Sequence, residues 1–194
     1  ADMGSDINVG YVNVFGIAPL DRRHTIWEEF KTANNWTESF FVGEFTNSVA
    51  TDNAQLVDAA LKANSGVTAI FAPYDEFTKG TVSAIEQNAM EGSVASYGID
   101  ISNADIEVMT AENSPWKATA ATDPNAIGAA VVRTMILHLA GELDENEYQF
   151  PGVLVTQDFL VSEGITNMDE LRAALPALNL TSVMAADWIP AVSF

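Results

Sequence analysis

One stretch constrains the fold of this chain more than any other: the run Thr68–Ala72, then Pro73, Tyr74, Asp75 and Glu76, then a helical pattern from Phe77. TAIFA is apolar except for its threonine. It reads as a strand buried on both faces, and such strands belong to parallel sheets covered by helices. The strand delivers a phenol and two carboxylates to its carboxyl end just before a helix begins. In open α/β sheets that is where ligands bind.

The same unit recurs along the chain. Residues 7–14 read as a buried strand, with Gly16 and Pro19 marking the loop after it. Asp21 can cap a helix over 22–34, whose Ile26, Trp27 and Phe30 lie at helical spacing. A strand over 38–45 is followed by a helix from Ser48 or Thr51 to Ala63, with Leu56, Val57, Ala60 and Leu61 inward. The helix after the 68–72 strand runs over 77–88, with Val82 and Ile85 on its core face. A fourth strand at 94–98 ends at Ile99-Asp100, a short helix covers 104–111, and a fifth strand covers 116–121. This alternation predicts an α/β fold with a doubly wound parallel sheet and right-handed crossovers.

Asp123-Pro124 opens a helix that runs to Ala140 and stops at Gly141. Its apolar residues go nearly all the way round, so it needs burial on more than one side. A strand at 152–157 follows. The tail carries one short helix at 168–174, and Trp188, Ile189 and Phe194 are expected to tie it to the domain surface. There is no internal repeat, and no Pro/Gly/Ser linker divides the chain.

Composition removes several function classes. The net charge of −19, with 8 Lys+Arg against 27 Asp+Glu, argues against nucleic acid and against an anionic membrane surface. There is no Cys, so disulfides, thiolate metal sites and Cys nucleophiles are excluded. No apolar run is long enough to span a bilayer. The start, ADMGSDINVG, lacks the basic and apolar regions of a signal peptide, so the expectation is an intracellular protein or a mature or trimmed form.

Tyr74, Asp75 and Glu76 form a ligand-facing cluster or, for the two acids, a helix N-terminus with one of them capping. Tyr74 is the better contact candidate. Asp100, in SYGIDIS, can accept hydrogen bonds from neighbouring hydroxyls of a polyol or bond its own backbone in a turn. Arg22 and Arg23 follow the first strand, where a planar guanidinium suits hydroxyls or carboxylates; one of the two is expected to be a surface ion pair. Phe45, ending the second strand, can stack on a ligand ring or fill the core. His24 and His138 lack metal-type spacing, so no metal site is expected. Ser48, Ser102 and Ser114 lie in no nucleophile-elbow sequence, and neither a P-loop nor a G-x-G-x-x-G fingerprint occurs. No cofactor is called for.

The ordered set GVTAIFAPYDEFTKGTVSAI, SYGIDIS, WKATAATDPNAIGAAVV and VLVTQDF resembles the type I periplasmic sugar-binding proteins of ABC transporters, and more narrowly the C-terminal lobe of the ribose-binding-like subgroup. The resemblance covers residues 7–160. It implies two lobes joined by three crossings with a sugar between them, of which this chain holds one. Residues 7–122 would be the C-terminal lobe, 123–150 a helix and loop that pack in the absent N-terminal lobe, and 151–194 the return strand and tail. Crossings would fall near Ala120–Asp123 and Gly152–Gln157. The family's sugar-binding Arg falls on Arg23, with Arg22 as the alternative, its aromatic on Phe45 and its sugar-binding Asp on Asp100. Tyr74 stands where an Asn is common, and Thr122 where the hinge Gln is common. These two departures imply a polyol or sugar derivative rather than ribose.

The resemblance therefore implies a periplasmic or extracytoplasmic binding protein, not an enzyme. Its partners would be a small sugar or polyol, ABC permease subunits and the missing N-terminal lobe, with self-association where that lobe is absent. Two other readings predict different things. The effector domain of a sugar-responsive transcription regulator would need a basic helix-turn-helix and a dimer face. A small α/β enzyme using Asp75, Glu76 or Asp100 as acid or base would need strongly perturbed carboxylates in a closed pocket.

Overall fold

Strand and helix alternate because each short apolar run is followed by a helix-forming one, and the first four helices carry the chain back to start the next parallel strand. The computed structural model describes residues 7–143, 150–180 and 182–190. In order, the elements are β1 (Asn8–Val12), α1 (Ala18–Ala33), β2 (Thr37–Val42), α2 (Val49–Ala63), β3 (Ala69–Ala72), α3 (Asp75–Gln87), β4 (Ala95–Ile99), α4 (Asn103–Thr110), β5 (Trp116–Ala121), α5 (Pro124–Ala140), β6 (Val153–Thr156), α6 (Gln157–Glu163) and α7 (Met168–Ala174). The sheet order is β2-β1-β3-β4-β5-β6. The first five strands are parallel, whereas β6 returns antiparallel to β5 with Val153 opposite Ala121. The expected all-parallel sheet is corrected at that edge.

Side chains alternate between the two faces of the sheet. Val12, Phe40, Ile70 and Ala72 pack with Val57, Leu61, Phe77 and Ile85 from α2 and α3. The two helices come close because Gly80 has no side chain; a Cβ there would lie 2.5 Å from the carbonyl oxygen of Ala50. Further along, Trp116, Ile106, Met109, Leu160 and Leu171 join β5 to α4, α6 and α7.

On the opposite face Val9, Tyr11, Ala69, Phe71 and Tyr97 lie beneath Trp27 of α1. The described residues cover only part of that face. A groove of about 560 Å³ runs from α1 across to β6, lined by Ile26, Phe30, Trp36, Phe71, Tyr97 and Leu154 among others. Ile26 and Phe30 follow the helical spacing read in the sequence, yet they are exposed, and only Trp27 of the three is buried.

Helix α1 begins earlier than expected. Pro19 lies inside its first turn, where a missing N–H costs nothing. Asp21 is therefore not its N-cap; instead its carboxylate accepts a bond from the Gly16 backbone N–H. Helix α6 follows β6 directly, capped by the Thr156 side chain, where the sequence reading placed no helix. Helix α5 has the expected bounds, with Asp123 as N-cap and Gly141 in the left-handed conformation after it. One side is covered by the tail, where Arg133 donates to the Val183 carbonyl and Trp188 to Glu142. The other side exposes Val131, Val132, Met135 and Leu139. Trp188 is half-exposed, and Phe194 lies outside the described residues.

Candidate functional site

The carboxyl ends of β1, β3 and β4 are drawn together by one side chain. Arg23, on the second turn of α1, donates from Nη1 to the Pro73 carbonyl at 2.5 Å. The same guanidinium grips Asp100 with two bonds, Nη1 to Oδ2 at 3.3 Å and Nη2 to Oδ1 at 3.2 Å. Planar guanidinium against planar carboxylate is the strong two-bond arrangement. Both side chains stay partly open to solvent, 27% for Arg23 and 34% for Asp100. Their outer atoms can therefore still meet a ligand, the arginine as donor and the aspartate as acceptor.

Asp100 is held in a conformation that few residue types accept. Its φ is +79°, in the left-handed region that L-residues other than Asn, Asp and Gly avoid. The backbone is pinned from both sides: its N–H donates to the Ala120 carbonyl at 2.9 Å, and its carbonyl accepts from the Thr119 hydroxyl at 2.8 Å.

Tyr74 follows Pro73 and is the N-cap of α3, but its side chain makes no capping bond. Asp75 is thus the first residue of the helix rather than its cap, and its Oδ1 accepts from the Glu76 N–H at 2.8 Å. The capping role expected for Asp75 or Glu76 is corrected accordingly. Burial raises the Tyr74 phenol, and the carboxylates of Asp75, Glu76 and Asp100 raise it further. The Tyr74 ring stands T-shaped on the buried Phe77 and lies near-parallel to Phe45, at 6.1 Å between centroids and 26° between planes.

Phe45 does not end β2. The strand stops at Val42, and Phe45 lies in the loop beyond it, 56% exposed. That loop is clamped. The fully buried Asn53 accepts from the Glu44 N–H at 3.0 Å and donates from Nδ2 to the carbonyls of Glu44 and Val49, each at 2.7 Å. Gly43 allows the loop to leave β2 against β1, since a Cβ there would lie 2.2 Å from the Asn13 carbonyl oxygen. Phe45 is an exposed ring on a fixed support.

Beneath this ledge lies a carboxylate cluster. Lys79 pairs with Glu76 and, at 3.4 Å, with Oδ1 of the fully buried Asp105, whose Oδ2 accepts from the Ser102 hydroxyl at 2.7 Å. Burial, and then the neighbouring Asp105 charge, push the Asp75 carboxyl up to about 6.

The structure thus brings Arg23, Asp100, Tyr74 and Phe45 to one ledge. Arg22 is exposed on α1 and shares none of these bonds. Thr122 lies past the end of β5, half-buried, beside Asp123, which is bonded to Arg172 at 3.2 Å. The sequence reading missed the Pro73 carbonyl, since any residue type supplies one. It also missed Asn53, though an amide in the first turns of a helix after a Gly-containing loop was a usable signal. Among the described residues, no group of three or more His, Asp or Glu could hold a metal ion, and no helix is long and apolar enough to cross a membrane.

The fold is thus a doubly wound sheet with a charged pair and two aromatic rings gathered at its strand ends. The chain belongs to the periplasmic binding protein domain family, whose model matches residues 14–143. Among solved structures, it is 38% identical to the 5-methylthioribose transporter solute-binding protein of Thermotoga lettingae, solved with 5-methylthioribose; the match covers 94% of this chain and 57% of that one, with a TM-score of 0.89. It is 30% identical to a sugar ABC transporter protein of Yersinia enterocolitica, with 94% and 56% covered and a TM-score of 0.89. A solute-binding protein of Agrobacterium vitis, solved with allitol, shares the fold at 22% identity and a TM-score of 0.70, with 82% and 56% covered. The chain spans a little over half the length of these relatives, the extent of one lobe. No curated protein matches it.

Proposed function

We propose that this chain is the C-terminal lobe of an extracytoplasmic solute-binding protein that delivers a sugar, polyol or sugar derivative to an ABC permease. The observation that carries this reading is the Arg23–Asp100 pair at the strand ends, fixed to the Pro73 carbonyl and flanked by Tyr74 and Phe45. The pair offers donors and acceptors to adjacent hydroxyls, while the rings cover the C–H face of a sugar. Arg22 and Thr122 complete the candidate set. The relatives named above are transporter solute-binding proteins, which supports binding without chemistry.

In this reading residues 123–150 cross to a second lobe, and the exposed face of α5 packs there. Closure of the two lobes on the ligand makes the form that the permease recognises, because the ligand has more contacts in it. One wall of a cleft offers part of the contacts, so this chain alone binds sugar weakly. The test is a chemical-shift titration of the 194-residue chain with ribose, 5-methylthioribose and allitol at millimolar concentration. The expected result is movement of the Arg23, Tyr74 and Asp100 amides. No movement at these positions with any of the three would refute the reading.

A further inference from the structure

We infer that two copies of this chain pair reciprocally, the exposed face of α5 in each seating in the groove beside α1 of the other. The inference goes beyond the sugar reading and does not rest on its ligand. There the α5 face meets a second lobe; here a second copy offers the seat.

The chain carries a ridge and a trough of the same chemistry. Val131, Val132, Met135 and Leu139 form a stripe along α5 at helical spacing, each more than half exposed. Ile26, Phe30 and Leu154 are exposed in the walls of the groove. These are seven of the twelve large apolar side chains that the described residues expose. Apolar surface gathered in this way marks an interaction site, whereas single exposed residues do not. The ridge does not fill its own trough: no α5 residue lines the groove. The far side of α5 is held by the tail, through Arg133 to the Val183 carbonyl and Trp188 to Glu142.

The dimensions agree. The open floor runs from β3 to β6, with Phe71, Tyr97, Ala118 and Leu154 on successive strands. Three strand spacings make about 14 Å, and a helix with its side chains is about 10 Å across. Ala118 is the smallest of the four and lies between Tyr97 and Leu154, where a helix would press closest.

Charge decides which surfaces of this chain can meet. Each copy carries −19, so two copies repel wherever their carboxylates approach. None of the described residues that line the groove is charged, and α5 contains no Asp or Glu in its 17 residues. Here two copies can touch without burying a carboxylate. At about 100 Å² for each half-exposed side chain, a reciprocal pair buries about 1,400 Å², within the ~1,200–2,000 Å² of stable interfaces. A two-fold pair uses both contacts and closes, whereas a single contact would leave one ridge and one trough free to add further copies. Without a polar anchor the dissociation constant is on the order of micromolar, so the groove is open in dilute solution.

The experiment is sedimentation velocity on the 194-residue chain, from dilute solution to about 100 μM. The expected result is a monomer that becomes a dimer as concentration rises. Met135→Lys on the ridge and Leu154→Glu in the trough are each expected to weaken the dimer at least about tenfold. Both positions are exposed, so the thermal midpoints of the variants should stay at that of the unmodified chain. Mixed in equal amounts, the two variants are expected to dimerise again. One contact of the mixed pair is then unaltered, and the other holds a lysine and a glutamate. A monomer at every concentration overturns the inference. So does a dimer that survives Leu154→Glu, which would mean that α5 pairs with α5, or one that survives Met135→Lys. Growth past the dimer, or a mixture that stays monomeric, overturns it as well.

Discussion

Glycine is usually a poorer residue than alanine inside a folded domain, by about 0.5–1 kcal/mol, because it loses more freedom on folding. At position 100 the order should reverse. Asp100 sits at φ +79° with its N–H and carbonyl both bonded to β5, so a replacement must adopt the same conformation. Alanine in the left-handed region costs about 1–2 kcal/mol, and glycine none. Subtracting glycine's entropic disadvantage, at the middle of both ranges, leaves Asp100→Gly more stable than Asp100→Ala by about 0.8 kcal/mol. Both variants lose the pair with Arg23, which is worth about 1 kcal/mol or less at 34% exposure of the carboxylate, so that loss cancels in the comparison. Urea unfolding followed by far-UV circular dichroism resolves such a difference as a shift in midpoint at constant slope. An alanine variant as stable as the glycine variant would show that position 100 is not held in the left-handed conformation.

Three further outcomes can be checked. The Asp75 carboxyl, pushed up to about 6 by burial and by Asp105, binds its proton more tightly in the folded chain than in the unfolded one. Its contribution to stability is therefore complete at pH values below the unfolded pKa and is lost as pH rises toward and past 6; Asp75→Asn should flatten that slope in thermal melts taken across the range. Gly80→Ala places a methyl 2.5 Å from the Ala50 carbonyl and should cost about 1–3 kcal/mol by forcing α2 and α3 apart, measured by the same urea method; a neutral result would contradict the close approach. Met135→Gln, on the exposed face of α5, should leave stability within about 0.5 kcal/mol but reduce self-association in sedimentation velocity; a large loss of stability would mean that the face is already covered.

Much of the fold was legible because it is written in local pattern. The bounds of α5 follow from Asp123-Pro124 and Gly141, and the strand expected over 116–121 is β5; both sit where they were expected. What local pattern lacks is direction and company. Val153–Thr156 reads as a strand, but nothing within it says that it runs antiparallel to β5. Pro19 reads as a loop marker and turns out to lie within the first turn of α1, since proline suits both places. Ile26 and Phe30 have the spacing of core residues, and what they face is open groove, which only the placement of α1 over the sheet reveals. For the site, Asp100 and Arg23 were readable as residue types at strand ends. Their union was not, because 77 positions separate them in sequence and the fold alone makes them neighbours.

The groove beside α1 also changes how this molecule answers a common laboratory probe. Dyes that fluoresce on apolar surface, such as anilinonaphthalene sulfonate, are used to flag loosely packed intermediates, on the premise that a native protein offers them little. Here the native chain offers about 560 Å³ of apolar trough with Phe30, Trp36, Phe71 and Leu154 in its walls. Emission should then be high in the folded state and fall as urea dissolves the sheet. Bright emission that falls across the urea transition is the expected result, and a dim folded sample would mean that the groove does not take up the dye.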